Sequence, residues 1–389
     1  MNCPVKLTGI NIDCSCSVKI VFITEVPPVR FINLLPLEEK DKGGGVISNI
    51  MKKIAVEKTV GMMLCHDITQ IIPGKFKGRA FKKGHIIRKE DVEKLLELGK
   101  EQIYIWEPKA GEIHEDEAAL RMARAVAGEN IEYDEPKEGK STLKSKEKGL
   151  LKINSELLHQ INSIKDISIA SLPQNFIVDR GQRLAGLRII PLTTKEENLT
   201  QLEDLCQKKG KVFEIKKYKK LKAALITTGN EIYKKRIQDK FGPVMRSKLE
   251  FFNAQYLGQT FCPDDIEEIK EKILYYRQQE ADLIILTGGM SVDPDDLTPG
   301  AIRESGAKVV TYGAPVQPGN MFMMAYLGAT VLMGVPGCAM YYRTTILDVV
   351  LPRIFIGEIL NKEDFIKMGE GGFCLNCEVC RYPQCFFCR

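Results

Sequence analysis

No apolar run in this chain is long enough to span a bilayer, which excludes a membrane-crossing helix and removes a membrane from the expected partners. The apolar stretch at residues 19–35 is broken by Glu25, Pro27, Pro28 and Arg30, and no small-residue cleavage site follows it, so no secretory signal is expected. Charge of one sign is also scarce. The 56 Lys and Arg face 51 Asp and Glu, and a formal net charge of +5 is too small for nucleic acid to be the main partner. Any anion site must therefore be local. Histidine is rare, at four residues. His66 and His85 have no nucleophile or metal ligand beside them in sequence, so neither is expected in catalysis.

These absences place the chain in a reducing cytoplasm, where its 12 cysteines point to metal or redox chemistry rather than a disulfide framework. The composition, 44% hydrophobic and 28% charged, is that of an ordinary globular protein. The 389 residues suffice for about two to three domains. Residues 1–50 show no sustained periodicity and read as an irregular extension. Their Cys3, Cys14 and Cys16 lack the spacing of a ligand set, and Met51 offers a second possible start. Residues 51–127 read as a small β-rich module, with a turn at Lys82-Lys83-Gly84-His85, a helix over 88–99 and a strand over 102–106. Residues 128–149, rich in Gly, Glu, Lys, Pro and Ser, read as an exposed linker. A mixed α/β segment follows at 150–222, and its dense lysines from 208 to 222 read as a solvated face.

From residue 223 to 360 the pattern sharpens into alternating strands and helices. Ala223-Ala224-Leu225-Ile226-Thr227 runs into Thr228-Gly229-Asn230-Glu231, Leu283-Ile284-Ile285-Leu286 into Thr287-Gly288-Gly289, and Thr330-Val331-Leu332-Met333 into Gly334-Val335-Pro336-Gly337. Continuous apolar strands imply a mostly parallel sheet covered on both faces, a three-layer α/β/α domain. A crossover helix begins at Asp264, with Ile266, Ile269, Ile273 and Tyr276 on one face. In such folds ligands bind beyond the carboxyl ends of the strands, where glycine lets the backbone approach and helix N-termini face phosphate. After Gly288-Gly289, Ser291, Asp293 and Asp296 precede a helix with Thr298 as its cap, Pro299 as its first residue and Gly306 as its stop. Carboxylates beside a phosphate cradle suit magnesium, which makes Glu231 and Asp296 candidate metal residues. They equally suit a helix N-terminal dipole.

In order, Thr227-Thr228-Gly229-Asn230-Glu231, Thr287-Gly288-Gly289-Met290-Ser291 through Asp296, Pro318-Gly319-Asn320 and Gly334-Val335-Pro336-Gly337 resemble the molybdopterin-binding domain. Molybdopterin molybdenumtransferases of the gephyrin E-domain type and molybdopterin adenylyltransferases share that domain. The resemblance implies binding of molybdopterin, or of its adenylylated form, which is hydrolysed with magnesium as molybdate is inserted. It implies Asp296 and Glu231 as catalytic and metal residues. Thr228, Gly229, Asn230, Gly288, Gly289, Ser291, Asp293, Pro318, Gly319, Pro336 and Gly337 would form the pterin and phosphate site. It also implies a homodimer. The chain departs from the family in lacking a Met-Asp-Gly-Tyr-Ala-like motif, and in carrying Gln317-Pro318-Gly319-Asn320 where the family has Lys-Pro-Gly-Lys. A non-catalytic carrier or redox sensor, docking a molybdoenzyme, is the alternative. The stretch Asp296-Leu297-Thr298-Pro299 adds a third, an adenylyltransferase.

Residues 361–389 read as a cysteine-rich tail. Cys374, Cys377, Cys380, Cys385 and Cys388 are spaced as an iron–sulfur cluster or a zinc ion requires. Cys338, just after Pro336-Gly337, is read as a packing residue rather than a nucleophile.

Overall fold

The computed structural model of the chain describes residues 51–62, 64–72, 76–106, 111–291 and 296–388. The extension expected at 1–50, with Cys3, Cys14 and Cys16, lies outside them, as does Asp293.

The first module comprises β1 (Met51–Ala55), β2 (Ile68–Ile72), β3 (Phe76–Phe81), α1 (Lys89–Glu97) and β4 (Gln102–Trp106). β1 pairs antiparallel with β4, and β2 with β3, around a small core of Val56, Leu64, Ile68, Phe81, Ile87, Leu95 and Ile103. His85 serves structure here: its Nε2 lies 2.6 Å from Asp91 Oδ2, which also accepts from Arg88 N–H at 2.9 Å and so fixes the start of α1.

The second module holds β5 (Glu112–His114), α2 (Glu115–Val126), β6 (Ile131–Tyr133), β7 (Lys140–Ser145), β8 (Gly149–Ile153), α3 (Ser155–Asn162), β9 (Ile167–Ser171), β10 (Phe176–Val178), β11 (Arg183–Ile189), β12 (Thr193–Lys195), α4 (Glu196–Lys209) and β13 (Phe213–Lys217). Two antiparallel sheets, β6-β7-β11-β9 and β10-β8-β13, share a core that includes Met122, Leu143, Leu151, Leu202 and Phe213. The domain boundaries read from sequence shift accordingly. Residues 128–149 are not an exposed linker: β7 lies inside its sheet, with Ser141, Leu143 and Ser145 buried in alternation. Its two inward serines satisfy their hydroxyls on the carbonyls of Asp134 and Glu147, so a polar composition conceals a half-buried strand. Helix α2, assigned by sequence to the first module, buries Ala118, Met122 and Val126 in the second core. The lysine run is a paired surface: Lys211 donates to the carbonyls of Arg124 and Ala125, Lys216 pairs with Glu129 and Glu214, and Lys217 with Glu147.

The third module comprises β14 (Lys222–Thr228), α5 (Asn230–Tyr233), α6 (Phe241–Phe251), β15 (Gln255–Cys262), α7 (Ile266–Gln278), β16 (Leu283–Thr287), α8 (Thr298–Glu304), β17 (Lys308–Tyr312), β18 (Met323–Leu327), β19 (Thr330–Val335), α9 (Ile346–Phe355) and α10 (Lys362–Ile366). Its six strands run in the order β15-β14-β16-β19-β18-β17, all in one direction except β18, which is antiparallel to both its neighbours. Alternate residues feed two cores. Ala223, Leu225, Leu283, Ile285, Val331 and Met333 pack against α6 and α9, whereas Ala224, Ile226, Ile284, Leu286 and Leu332 pack against α7 and α8. This is the expected three-layer α/β/α architecture. Burial of each such Leu or Ile contributes roughly 1.5–3 kcal/mol. Helix α7 buries Ile269, Ile273 and Tyr276 as predicted, but its cap is Asp265, not Asp264. No helix among the described residues is long and apolar enough to cross a membrane.

Residues 361–388 are not a free tail. Phe365, Met368 and Phe387 enter the core beneath α9. Arg353, 7% exposed, braces this region: its Nε and Nη2 donate to Glu358 at 3.1 and 2.7 Å and Nη2 donates to Asp364 at 2.6 Å. Lys152 of the second module reaches Glu358 at 3.1 Å. Burial alone would raise the Glu358 carboxyl, but the Arg353 guanidinium and the Lys152 ammonium together hold it below the usual carboxylate range. A depressed folded pKa gives stability that is present above the unfolded value and lost as pH falls through the folded one. Urea midpoints of the wild type are therefore expected to drop more steeply below about pH 4.5 than those of Glu358→Gln. Arg353→Ala, which strands two partly buried carboxylates, is expected to cost about 3 kcal/mol at neutral pH.

Candidate functional site

The three glycine turns meet at one edge of the sheet because their strands run parallel and in register. Thr227 stands opposite Thr287, and Thr287 opposite Val335. The Thr227 and Thr287 hydroxyls are 3.0 Å apart, and Gln259 Nε2 donates to Thr227 Oγ1 at 2.8 Å and to Asp239 Oδ2 at 2.7 Å. Asp239 in turn accepts the amides of Phe241 and Gly242 at the start of α6. One row of hydroxyls and amides thus links β15, β14 and β16 to the helix behind them.

Immediately beyond this row lies a cradle. Thr298 Oγ1 sits 3.1 Å from Thr228 Oγ1 and donates to the Gly288 carbonyl at 2.9 Å, tying the first residue of α8 to the ends of β14 and β16. Thr298 thus sits inside the helix, with Leu297 as the cap, one residue from the expected boundary. Gly288 has φ +89°, and a Cβ there would run into the Thr228 carbonyl; a Cβ on Gly289 would lie 2.9 Å from Thr298 Oγ1. Gly334 on β19 packs against Met290, where an added Cβ would meet Sδ at 2.6 Å. Asn230 N–H donates to Asp264 Oδ2 at 2.9 Å, and the Glu231 carboxylate folds back over Gly229. Ser291 is exposed and Asp296 half-buried, both on the loop leading into α8.

The structure divides the remaining predicted residues from this cradle. Pro318 and Gly319 line a cavity of about 510 Å³ with Gln317, Asn320, Cys338 and Cys374, to which Pro336 and Gly337 lead directly from β19. Burial pushes the Cys338 thiol up, which disfavours the thiolate a nucleophile needs. A separate cavity of about 570 Å³ follows Glu231 and is lined by Tyr233, Lys235, Arg236, Asp239 and Phe261. Sequence reasoning missed Gln259, Asp239 and Asp264. An acid two residues before a helix was the only signal of Asp239, and Gln259 carries none in isolation.

Among the described residues, no three His, Cys, Asp or Glu side chains converge closely enough to hold one metal ion. Magnesium is usually held by one or two carboxylates together with phosphate oxygens. Glu231 follows β14 and Asp296 precedes α8.

A parallel α/β sheet with a glycine- and hydroxyl-lined carboxyl edge defines the class to which this domain belongs. Residues 224–355 match the family model described as a probable molybdopterin binding domain, and residues 53–107 match a domain of unknown function (DUF8806). The first of these matches covers the C-terminal module, about a third of the chain. The chain is 28% identical over 150 residues to a molybdopterin molybdenumtransferase of Haemophilus influenzae, covering 37% of this chain and 37% of that protein. It is 31% identical over 77 residues to a CinA-like protein of Mycobacterium marinum, covering 20% of this chain and 18% of that one. Among solved structures, the tungsten cofactor synthesizing protein MoaB from Pyrococcus furiosus aligns at 20% identity and a TM-score of 0.31, over 35% of this chain and 94% of that one. The chain therefore spans well under half the length of these curated relatives.

The cradle makes a specific demand on Gly288. Gly288→Ala is expected to lower stability by about 2 kcal/mol or more, from left-handed strain plus collision with a backbone carbonyl. Gly306→Ala, at φ +83° with nothing within 4 Å of its Cβ, suffers the strain alone and is expected to cost about 1 kcal/mol. Paired thermal and urea melts measure the difference.

Proposed function

We propose that this protein is a molybdenumtransferase-like enzyme of molybdenum cofactor assembly. It would bind adenylylated molybdopterin at the carboxyl edge of the sheet and release AMP by hydrolysis of the pyrophosphate bond as molybdate enters the dithiolene. The observation that carries this reading is the cradle of Thr228, Gly288, Gly289 and Thr298. In it two strand ends and a helix start are held together by side-chain hydroxyls, with glycine where the chains approach too closely for a side chain. Asn230, Ser291 and Asp293 would border the phosphate, and Pro318, Gly319, Pro336 and Gly337 the pterin.

Magnesium, held by Glu231 and Asp296 with phosphate oxygens, would neutralise charge on the pyrophosphate and polarise it. The cations missing at Gln317 and Asn320 would be supplied from another loop, by Lys235 and Arg236 in the cavity beyond Glu231. Two copies would associate, as in the resemblance. A second reading, a molybdopterin carrier or sensor serving a molybdoenzyme, draws on the neutral amides of that same Gln317–Asn320 loop.

The test is AMP release from adenylylated molybdopterin with molybdate and magnesium. Asp296→Ala is expected to slow it by about 100-fold or more while pterin binding persists, and Arg236→Glu to weaken binding about tenfold. Tight pterin binding without AMP would select the carrier, adenylyl transfer from ATP to molybdopterin with release of pyrophosphate would select the adenylyltransferase, and no pterin binding at all would overturn the reading.

A further inference from the structure

Four of the five tail cysteines, Cys374, Cys377, Cys380 and Cys385, line a single cavity of about 230 Å³, with Arg343 and Arg381 at its wall. As they stand, the thiols do not close around a lone metal ion. A tetrahedral zinc with Zn–S bonds of about 2.3 Å would draw its sulfurs to within about 3.8 Å of one another, and no three donors among the described residues lie close enough to share one ion. Four thiols around one cavity offer the ligand number of an iron–sulfur cluster, whose own bulk would fill the space between them.

The surroundings suit such a centre. Asn376 N–H donates to Cys374 Sγ at 3.4 Å, and Thr344 Oγ1 lies 3.2 Å from Cys380 Sγ. Hydrogen bonds to ligand sulfur are among the levers that stabilise and tune iron–sulfur clusters. Four thiolates around a dicationic four-iron core leave two negative charges, and Arg343 and Arg381 are the two guanidinium groups at the wall. The floor is rigid: Phe387 is 2% exposed and Tyr382 Oη donates to the Asp348 carbonyl at 3.1 Å. Cys388 is placed differently. Its amide donates to the Gly371 carbonyl at 3.0 Å, and it is absent from the lining of that cavity.

We propose that Cys374, Cys377, Cys380 and Cys385 ligate an iron–sulfur cluster, that Cys388 is a packing residue outside the ligand set, and that the cluster abuts the Gln317–Asn320 loop. The contact with the loop is made by backbone hydrogen bonds. Gln317 N–H donates to the Gly372 carbonyl at 2.7 Å, Cys374 N–H donates to the Gln317 carbonyl at 2.8 Å, and Cys374 itself lines the cavity that Pro318 and Gly319 form. Each ligand cysteine loses its thiol proton on binding, and iron and sulfide enter as the preformed cluster or as its components. The assignment stands independently of the pterin reading.

The test uses the full chain purified without oxygen. Iron, acid-labile sulfide and zinc are measured, with visible absorption and electron paramagnetic resonance after dithionite reduction. Brown protein with about four iron and four sulfide per chain is expected. Cys388→Ser is expected to retain that content, and Cys377→Ser and Cys380→Ser each to lose more than half of it. Cys377 is exposed, so its substitution does not endanger the fold, and circular dichroism checks this. Stoichiometric zinc without iron and sulfide would overturn the cluster. So would failure of the colourless protein to take up iron and sulfide under reducing conditions. Loss of the cluster in Cys388→Ser with retention in Cys385→Ser would overturn the ligand assignment.

Discussion

Strands β14, β16 and β19 are apolar on both faces, so the alternation of side chains that fixes a half-exposed strand does little to set their register. Polar pins at the two ends do so instead. At the amino edge, Lys222 N–H donates to Asp282 Oδ2 at 2.7 Å, Asp282 N–H to the Lys222 carbonyl at 2.8 Å and Val331 N–H to the Asp282 carbonyl at 2.8 Å. Thr330 Oγ1 donates to the Ala281 carbonyl at 2.8 Å in the same row. At the carboxyl edge the Thr227–Thr287 hydroxyl pair repeats the lock. A slip of one residue would leave the buried hydroxyls of Thr330, Thr227 and Thr287 unpaired, at roughly 1–3 kcal/mol each. The coincidence of the glycine turns, and with it the cradle, depends on that register.

Much of this was legible from the residues, for a physical reason. A strand buried on both faces leaves a continuous apolar run, as in Leu283-Ile284-Ile285-Leu286, and a glycine after such a run marks where the backbone must turn. The same logic fails for β7, whose inward positions hold Ser141 and Ser145; hydroxyls satisfied by nearby carbonyls permit burial that composition does not announce. The cradle was half legible. Gly288, Gly289 and Thr298 stood out singly, but the bond from Thr298 to the Gly288 carbonyl joins positions ten apart across a loop, and only the fold supplies that closeness. Pro318 and Gly319 appeared to belong to the same pocket, yet they open onto the cysteine segment.

That segment illustrates how packing resolves what spacing leaves open. Five cysteines in 15 positions offer several sets of four ligands, and sequence treats them alike. The cavity does not: Phe387 is inserted into the core beneath α9, and the four preceding cysteines line the cavity while Cys388 does not. The Arg353 brace to Glu358 and Asp364 holds the preceding turn in place, so the loop bearing the thiols projects from a fixed base.

Electrostatics connects the two ends of the domain. A loop that carried lysines beside an anionic substrate would also place positive charge against Cys374, because Gln317 and Cys374 are bonded backbone to backbone. Such charge would favour the oxidised or reduced state of a thiolate-bound centre unequally and couple it to substrate occupancy. Neutral Gln317 and Asn320 remove that coupling. Lys235 and Arg236, in a separate cavity beyond Glu231, can meet a phosphate without acting on the thiols. On the proposed readings, the neutral amides of this loop would follow from what it touches, and Lys235 and Arg236 would be their electrostatic counterpart.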